Sequence, residues 1–140
     1  MRILLTGGAG FIGSHVADAV IDRGHSVAVI DDLSTGKSDN VNQEARFYEA
    51  SVLDVEAVTR VFEQENPDVV IHHAAQTDVR RSMSDPTFDA MANILGTVTL
   101  LQACVRHKIT RFIFASSSAV YSEPRYIPMD ELHPIDPQSA

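Results

Sequence analysis

A doubly wound α/β sheet, with parallel strands and helices on both faces, is the fold class this sequence predicts. Three observations carry that reading. Short apolar runs alternate with helical stretches along the chain. The runs are continuously apolar rather than alternating, as strands buried on both faces are. A glycine-rich turn sits between the first run and the first helix, where doubly wound sheets open toward a ligand. The 140 residues are one domain's worth of chain, and 44% of them are hydrophobic, enough for a packed core.

Taken in order, Met1–Thr6 reads as a buried strand and Gly7–Gly13 as the glycine-rich turn. Phe11–Arg23 reads as a helix stopped by Gly24, a residue suited to the left-handed position after a helix. His25–Ile30 is a second strand, and Ala45–Val52 holds a third after a polar loop from Ser34 to Gln43. Asp54 is the expected N-cap of a helix reaching about Glu65, with Val55, Val58, Val61 and Phe62 on one face. Pro67 and Asp68 end it, and Val69–Ala74 is a fourth strand. A long helix over Pro86–His107 carries Met91, Ile94, Leu95, Val98, Leu101 and Val105 at helical spacing, a stripe expected to be core. Arg111–Ala115 is a fifth strand, and beyond Ser118 the proline-rich chain reads as irregular. The expected strand order is 3-2-1-4-5.

Composition closes off several function classes. A net charge of −8 and a pI near 5.0 argue against a nucleic-acid partner, which needs a basic face. The single cysteine, Cys104, excludes a disulfide framework and reads as a buried structural thiol. No apolar run of membrane-spanning length and no signal-peptide pattern is read, so a cytoplasmic protein with no membrane partner is expected. His72 and His73 look like a metal pair, but neighbouring strand residues point to opposite faces, so no metal site is assigned. His15, His25, His107 and His133 are read as surface or cap residues. Arg80 and Arg81 fit either a ligand phosphate or a solvated surface.

The segment Thr6–Gly13 carries chemistry. Gly8, Gly10 and Gly13 fit G-x-G-x-x-G, and Gly7, Gly10 and Gly13 fit the wider G-x-x-G-x-x-G. Either spacing permits a tight turn, a close backbone approach to a pyrophosphate and close packing of helix on strand. The helix N-terminus adds unpaired amides and a favourable dipole. Asp31 ends the second strand and can accept hydrogen bonds from both hydroxyls of an adenosine ribose while repelling a 2′-phosphate. With no arginine in the following loop and Lys37 the one nearby cation, NAD is favoured over NADP.

Four segments, TGGAGFIG at Thr6–Gly13, DDLSTG at Asp31–Gly36, HHAAQ at His72–Gln76 and SSSAVY at Ser116–Tyr121, resemble the extended short-chain dehydrogenase/reductase family in its UDP-glucose 4-epimerase-like branch. The resemblance covers the whole chain and implies a Rossmann-type sheet with five strands present, cut before the remaining helix and strands. It places Phe11 and Ile12 under the pyrophosphate, with Gly7, Gly10 and Gly13 around it. Asp31, Asp32, Leu33, Ser34, Thr35 and Gly36 wrap the adenosine ribose, and Ser51 and Val52 lie at the adenine. His73, Ala74, Ala75 and Gln76 pass the nicotinamide side, with Asn93 a further contact from the long helix. Ser51 stands where the family usually has aspartate, and Thr77 where some members carry lysine.

The same resemblance gives Ser117 the role of the catalytic hydroxyl that hydrogen-bonds the sugar oxygen undergoing oxidation. It implies an isomerase of carbohydrate metabolism, a nucleotide-sugar 4-epimerase of the UDP-glucose/UDP-galactose type. That enzyme works by transient hydride transfer from sugar C4 to NAD, with a UDP-sugar as substrate and a homodimer as the full-length form. The mechanism also needs a tyrosine and lysine spaced Y-x-x-x-K, and none of Tyr48, Tyr121 or Tyr126 has a lysine four positions on. The chain is therefore expected to be the NAD-binding N-terminal portion, residues 1–140, inactive alone, with the substrate domain and the Y-x-x-x-K helix absent. Two alternatives stand beside this. A nucleotide-sugar 4,6-dehydratase would resemble T-D-E where this chain has Ser117-Ser118-Ala119. A non-catalytic dinucleotide-binding module would end naturally at Ala140.

Overall fold

The computed structural model describes residues 1–121 and 123–138. Ala140, where the alternative of a stand-alone module would end, lies outside the described residues. Five parallel strands, β1 (Arg2–Thr6), β2 (Ser26–Asp31), β3 (Arg46–Glu49), β4 (Val69–His72) and β5 (Phe112–Phe114), form one sheet in the order β3-β2-β1-β4-β5, as expected. Leu4 of β1 pairs with Ala28 of β2 and Val70 of β4, so β1 is the central strand. β3 and β4 are shorter than the sequence runs suggest. The amide after each strand still bonds to the neighbouring strand's last residue, Ala50 to the Asp31 carbonyl and His73 to the Thr6 carbonyl, both at 3.1 Å, and the chain then leaves the sheet.

Pleat parity divides the core. On one face Leu4, Ala28, Ile30 and Val70 pack against Val58, Val61 and Phe62 of α2 (Val55–Glu65). Asp54 caps that helix, accepting the Ala57 amide at 2.9 Å. Val55, expected on the same face as these residues, is exposed at the first position of the helix. On the other face Ile3, Leu5, Val27, Val29, Val69 and Ile71 meet α1 (Phe11–Ile21). Glu65, buried at the end of α2, accepts from the Arg46 guanidinium and the Tyr48 hydroxyl, which fastens β3 to that helix.

The long helix differs from expectation in three ways. A short helix, α3 (Val79–Ser84), precedes it, started by the Asp78 carboxylate accepting the Arg80 amide at 2.8 Å. The helix then runs as α4 (Pro86–Ala90), a π-turn (Met91–Leu95) and α5 (Gly96–Arg106). Its core side is Gly96, Leu100, Ala103 and Cys104, and the stripe from Met91 to Val105 is exposed, with Ile94 61% and Val105 79% accessible. A Cβ at Gly96 would lie 2.7 Å from a Val52 methyl, so small residues set the helix close to the sheet and turn the large ones outward. Contrary to the sequence reading, Pro86–Arg106 is 21 residues long and apolar enough to cross a membrane by length and composition. Here it packs on the sheet as one layer of the fold.

The proline-rich segment is organised rather than irregular. Ser118–Tyr121 is a 3₁₀ turn, and the Asp136 amide donates to the Val120 carbonyl at 2.8 Å. His133, expected at the surface, is 3% exposed, its ring within 5.7 Å of Tyr121 and 4.8 Å of Tyr126. It accepts the Arg125 amide at Nε2 (2.9 Å), which leaves Nδ1 to donate to the Pro134 carbonyl at 3.0 Å. Burial without those two bonds would be costly, and tyrosine rings cover what remains.

Candidate functional site at the carboxyl edge of the sheet

Strands β1, β2, β4 and β5 all end at the same edge, and the candidate residues follow those ends. After β1 the chain turns at Gly7, whose φ of 72° is in the left-handed region and whose amide donates to the Ile30 carbonyl at 2.9 Å. Any Cβ there would stand 2.6 Å from the Ala74 nitrogen, so Gly7 lets the turn lie directly against the loop leaving β4. The Gly10 amide bonds to the Gly7 carbonyl at 3.2 Å, and Gly10 becomes the N-cap of α1 with no side chain capping the helix. The amides of Phe11, Ile12 and Gly13 thus sit in the first helical turn, where no intrahelical partner exists. Phe11 is 79% exposed beside them, its ring 4.8 Å from that of His15.

Asp31 ties this turn to the second strand. One carboxylate oxygen accepts the Ala9 amide at 3.0 Å and the other accepts the Leu33 amide at 2.9 Å, with the residue 9% exposed. Two lone pairs remain for further donors. Leu33 takes a positive φ of 57°, and Asp32 accepts the Ser34 amide at 3.0 Å, so Asp31–Gly36 forms a bonded loop with Ser34 and Thr35 exposed. The Ala9 carbonyl in turn accepts from the Lys37 amide (3.1 Å) and from the Asn40 side chain (2.9 Å). Gly36 lies so near Ala9 that an added Cβ would come within 2.8 Å of its methyl. Asn40 was missed in the sequence; it sits in a polar loop that offers no periodic signal.

Ser51 and Val52 follow β3, half-buried. The Ser51 hydroxyl accepts the Leu53 amide at 3.3 Å, and Val52 packs on the core. After β4, the His73 amide donates to the Thr6 carbonyl at 3.1 Å and the Ala74 amide to the Thr6 hydroxyl at 3.2 Å, while Ala75 is exposed. Gln76 and Asn93 come together: the Gln76 amide donates to Asn93 Oδ1 at 2.8 Å, and Asn93 Nδ2 returns to the Gln76 carbonyl at 3.0 Å. The Gln76 side chain is engaged as well, donating to the buried Asp89 carboxylate at 2.8 Å and accepting the Asp78 amide at 2.6 Å. Both side chains thus spend their hydrogen bonds inside the protein. Asp89, the hub beneath them, had no signal in the sequence.

Ser117 lies exposed beyond β5, its hydroxyl oxygen accepting the Ala119 amide at 3.1 Å. An acceptor hydroxyl keeps its own hydrogen free to donate. Arg81 places its guanidinium 3.7 Å over the Phe88 ring, which gives that cation an intramolecular role, and Arg80 is exposed. Among the described residues no three His, Cys, Asp or Glu side chains converge. Burial of Cys104 among apolar neighbours pushes its thiol up to about 11.

His72, at the end of β4, is 2% exposed and bonds through Nδ1 to the Thr6 hydroxyl at 2.6 Å and through Nε2 to the Thr97 hydroxyl at 3.0 Å. Burial, with a smaller contribution from neighbouring His73, pushes its pKa down from the usual 6.5 to about 4; burial likewise lowers His73. Between those values the unfolded chain carries a proton that the folded one refuses, so stability rises with pH across the window. Stability should therefore be lost as pH falls from about 6.5 toward 4, by about 3 kcal/mol for His72 alone. Urea denaturation at stepped pH, with His72→Gln as reference, measures it. An equal slope in the variant would remove His72 as the cause.

Comparison with known proteins matches this geometry to one family. The model of the NAD dependent epimerase/dehydratase family matches residues 3–140. The UDP-glucose 4-epimerase of Mycolicibacterium smegmatis is 38% identical over 145 aligned positions, covering 99% of this chain and 46% of that protein. The Lacticaseibacillus casei UDP-glucose 4-epimerase is 39% identical, covering 98% of this chain and 41% of that one. Among solved structures, the Thermus thermophilus UDP-glucose 4-epimerase in complex with NAD superposes with a TM-score of 0.93 at 42% identity, covering 99% of this chain and 45% of that one. The Thermotoga maritima enzyme with UDP-glucose gives 0.92 at 42%, covering 99% and 46%. The chain spans less than half the length of these relatives. With the Rossmann-type sheet, the glycine turn and the strand-end carboxylate all in place, the chain belongs to the NAD dependent epimerase/dehydratase family.

Proposed function

We propose that this chain is the NAD-binding N-terminal portion of a nucleotide-sugar 4-epimerase of the UDP-glucose/UDP-galactose type. One observation carries the proposal: the Asp31 carboxylate is hydrogen-bonded to the Ala9 amide inside the glycine turn. The acceptor for a ribose and the uncapped helix end for a pyrophosphate therefore belong to a single bonded unit, spaced as one dinucleotide needs. NAD fits this site, because the glycines leave the backbone uncovered and the carboxylate opposes a 2′-phosphate. Gly7, Gly10, Phe11, Ile12 and Gly13 would hold the pyrophosphate, Asp31 to Gly36 the ribose, and Ser51 and Val52 the adenine. His73 to Gln76 would flank the nicotinamide half, by backbone in the case of Gln76 and with Asn93 as its clamp.

The chemistry supplied by bound NAD is reversible hydride transfer at sugar C4. Ser117 would orient the sugar by donating its hydroxyl hydrogen to the oxygen being oxidised. Tyr121 and Tyr126 are packed on His133, so neither is assigned as the base, and the chain alone is proposed to be inactive. The tyrosine and lysine of Y-x-x-x-K, and the residues that read the UDP-sugar, are assigned to a C-terminal half like that of the relatives. An apolar groove lined by Ile3, Val20, Val69, Ile71 and Ile113, left open by α1, is a seat for part of it. The exposed stripe from Met91 to Val105 is proposed as the homodimer face of the full-length enzyme.

Calorimetric titration of the chain with NAD and with NADP tests the cofactor reading, and UDP-glucose turnover by a chain extended through Y-x-x-x-K tests the reaction. Saturable binding of NAD, not NADP, is expected, with epimerisation and a doubled mass in the extended form. A folded extended chain that ignores NAD, or binds it without epimerising any UDP-sugar, overturns the proposal.

A further inference from the structure

The buried polar groups beneath this edge form a closed circuit. Thr97 Oγ1 lies 2.7 Å from the Asn93 carbonyl oxygen, which can only accept, so the Thr97 hydroxyl hydrogen is committed there. Its oxygen then accepts from His72 Nε2, 3.0 Å away, which makes Nε2 the protonated nitrogen. A neutral ring leaves the lone pair on Nδ1, so Thr6 donates to it across 2.6 Å. The Thr6 oxygen in turn accepts the Ala74 amide at 3.2 Å. The direction is thus set at every link, from the Ala74 amide through Thr6, His72 and Thr97 to the Asn93 carbonyl. From Asn93 the circuit returns to the loop where it started, through the two bonds between its side chain and the Gln76 backbone.

We propose that His72, as its Nε2–H tautomer, is a positioning residue for the His73–Gln76 loop, holding one end of that loop against the glycine turn through Thr6 and the other against the π-turn through Thr97 and Asn93. This rests on the assignment of that loop to the nicotinamide half of the site. Only a group that accepts at one end and donates at the other completes the circuit, and neutral histidine does both across the width of one ring. The ring is also fixed in place by Phe112 and Phe114, with centroids 5.9 and 5.7 Å away. The Asn93 carbonyl belongs to the π-turn, a local irregularity often found at functional positions. His72 itself touches no ligand in this scheme; its effect reaches the site through the Ala74 amide, 2.6 Å from where a Gly7 Cβ would stand.

The test is Thr97→Val, which removes the hydroxyl and keeps the shape, with Thr97→Ser as the conservative rescue. Amide hydrogen exchange at Ala74 and Gln76 and the affinity for NAD are read alongside thermal stability. Thr97→Val is expected to speed exchange at both amides and weaken NAD about tenfold, the equivalent of about 1.4 kcal/mol, and Thr97→Ser to restore both. A variant that melts earlier but exchanges and binds like the parent shows a merely structural role and overturns the proposal. Should Thr97→Val fail to fold, nitrogen NMR of the unaltered protein decides: an Nδ1–H tautomer of His72 at neutral pH overturns it, and an Nε2–H tautomer upholds it. If the parent binds no NAD, the cofactor reading fails by itself, and the exchange rates still judge the circuit.

Discussion

Replacing Gly13 with alanine is expected to cost the fold about 3 kcal/mol and abolish NAD binding, the largest effect expected of any single methyl group here. Gly13 is buried in the first turn of α1, directly over the turn that leaves β1. A Cβ would overlap the Gly7 carbonyl oxygen and come within 2.8 Å of its carbon and 2.9 Å of the Gly8 Cα. All three obstacles are backbone, so no rotamer change relieves them, and the helix end would have to lift from the strand. Gly10→Ala is the control. Its Cβ would stand 3.3 Å from the Gly7 oxygen, a contact relieved by a few tenths of an ångström. The fold should survive at a cost of about 1 kcal/mol, mostly from alanine's poor N-capping, while NAD weakens because the methyl points where a pyrophosphate approaches. Chemical denaturation and NAD titration of both variants check this. A Gly13→Ala chain as stable as the parent would refute the tight packing, and a Gly10→Ala chain that binds NAD normally would move the pyrophosphate elsewhere.

The second large effect is expected at Asp31. In Asp31→Ala the Ala9 and Leu33 amides lose their acceptor in a site that is almost closed to water. Stability should fall by about 2–6 kcal/mol, since stranding a buried donor costs about 1–3 kcal/mol each. NAD affinity should fall at least about 100-fold, because the two charge-assisted bonds proposed from this carboxylate to a ribose are lost with it. Asp31→Asn separates charge from shape. It retains one acceptor oxygen and places an amide group against one of the two N–H donors, so part of the stability loss remains. Without the negative charge NADP should bind more nearly as well as NAD. An Asp31→Asn chain that still discriminates fully between the two would show that something other than this carboxylate rejects the 2′-phosphate.

These effects were legible in part from the chain. Strand–turn–helix context around Thr6–Gly13 and an acidic residue at the end of β2 are local features, and the structure brings them within 3.0 Å through Ala9. Pleat parity led to the expectation that His72 and His73 have different surroundings, and the structure buries His72 at the end of β4 and leaves His73 half-buried just beyond it. What parity could not supply is the partner set of His72, because Thr6 and Thr97 stand 66 and 25 residues away. Gln76 and Asn93 were named as candidate site residues from the resemblance, and nothing in their spacing foretells that they bond each other over Asp89. His133 was read as a surface residue because a histidine among prolines has no periodicity; only folding wraps Tyr121 and Tyr126 around it.

By itself, then, the sequence determined the five parallel strands, the α2 cap at Asp54, the glycine turn and the acidic residue ending β2, each from neighbours a few residues apart or from the apolar content of a single run. The strand order followed from the general rule for doubly wound sheets rather than from any local signal. Only the tertiary structure decided which face of the long helix is core. A helical period of 3.6 shows that apolar residues share a side and says nothing of what that side meets. Here the small side of Gly96, Ala103 and Cys104 allows close approach to Val52 and the sheet, so that face is buried and the larger stripe is left outside.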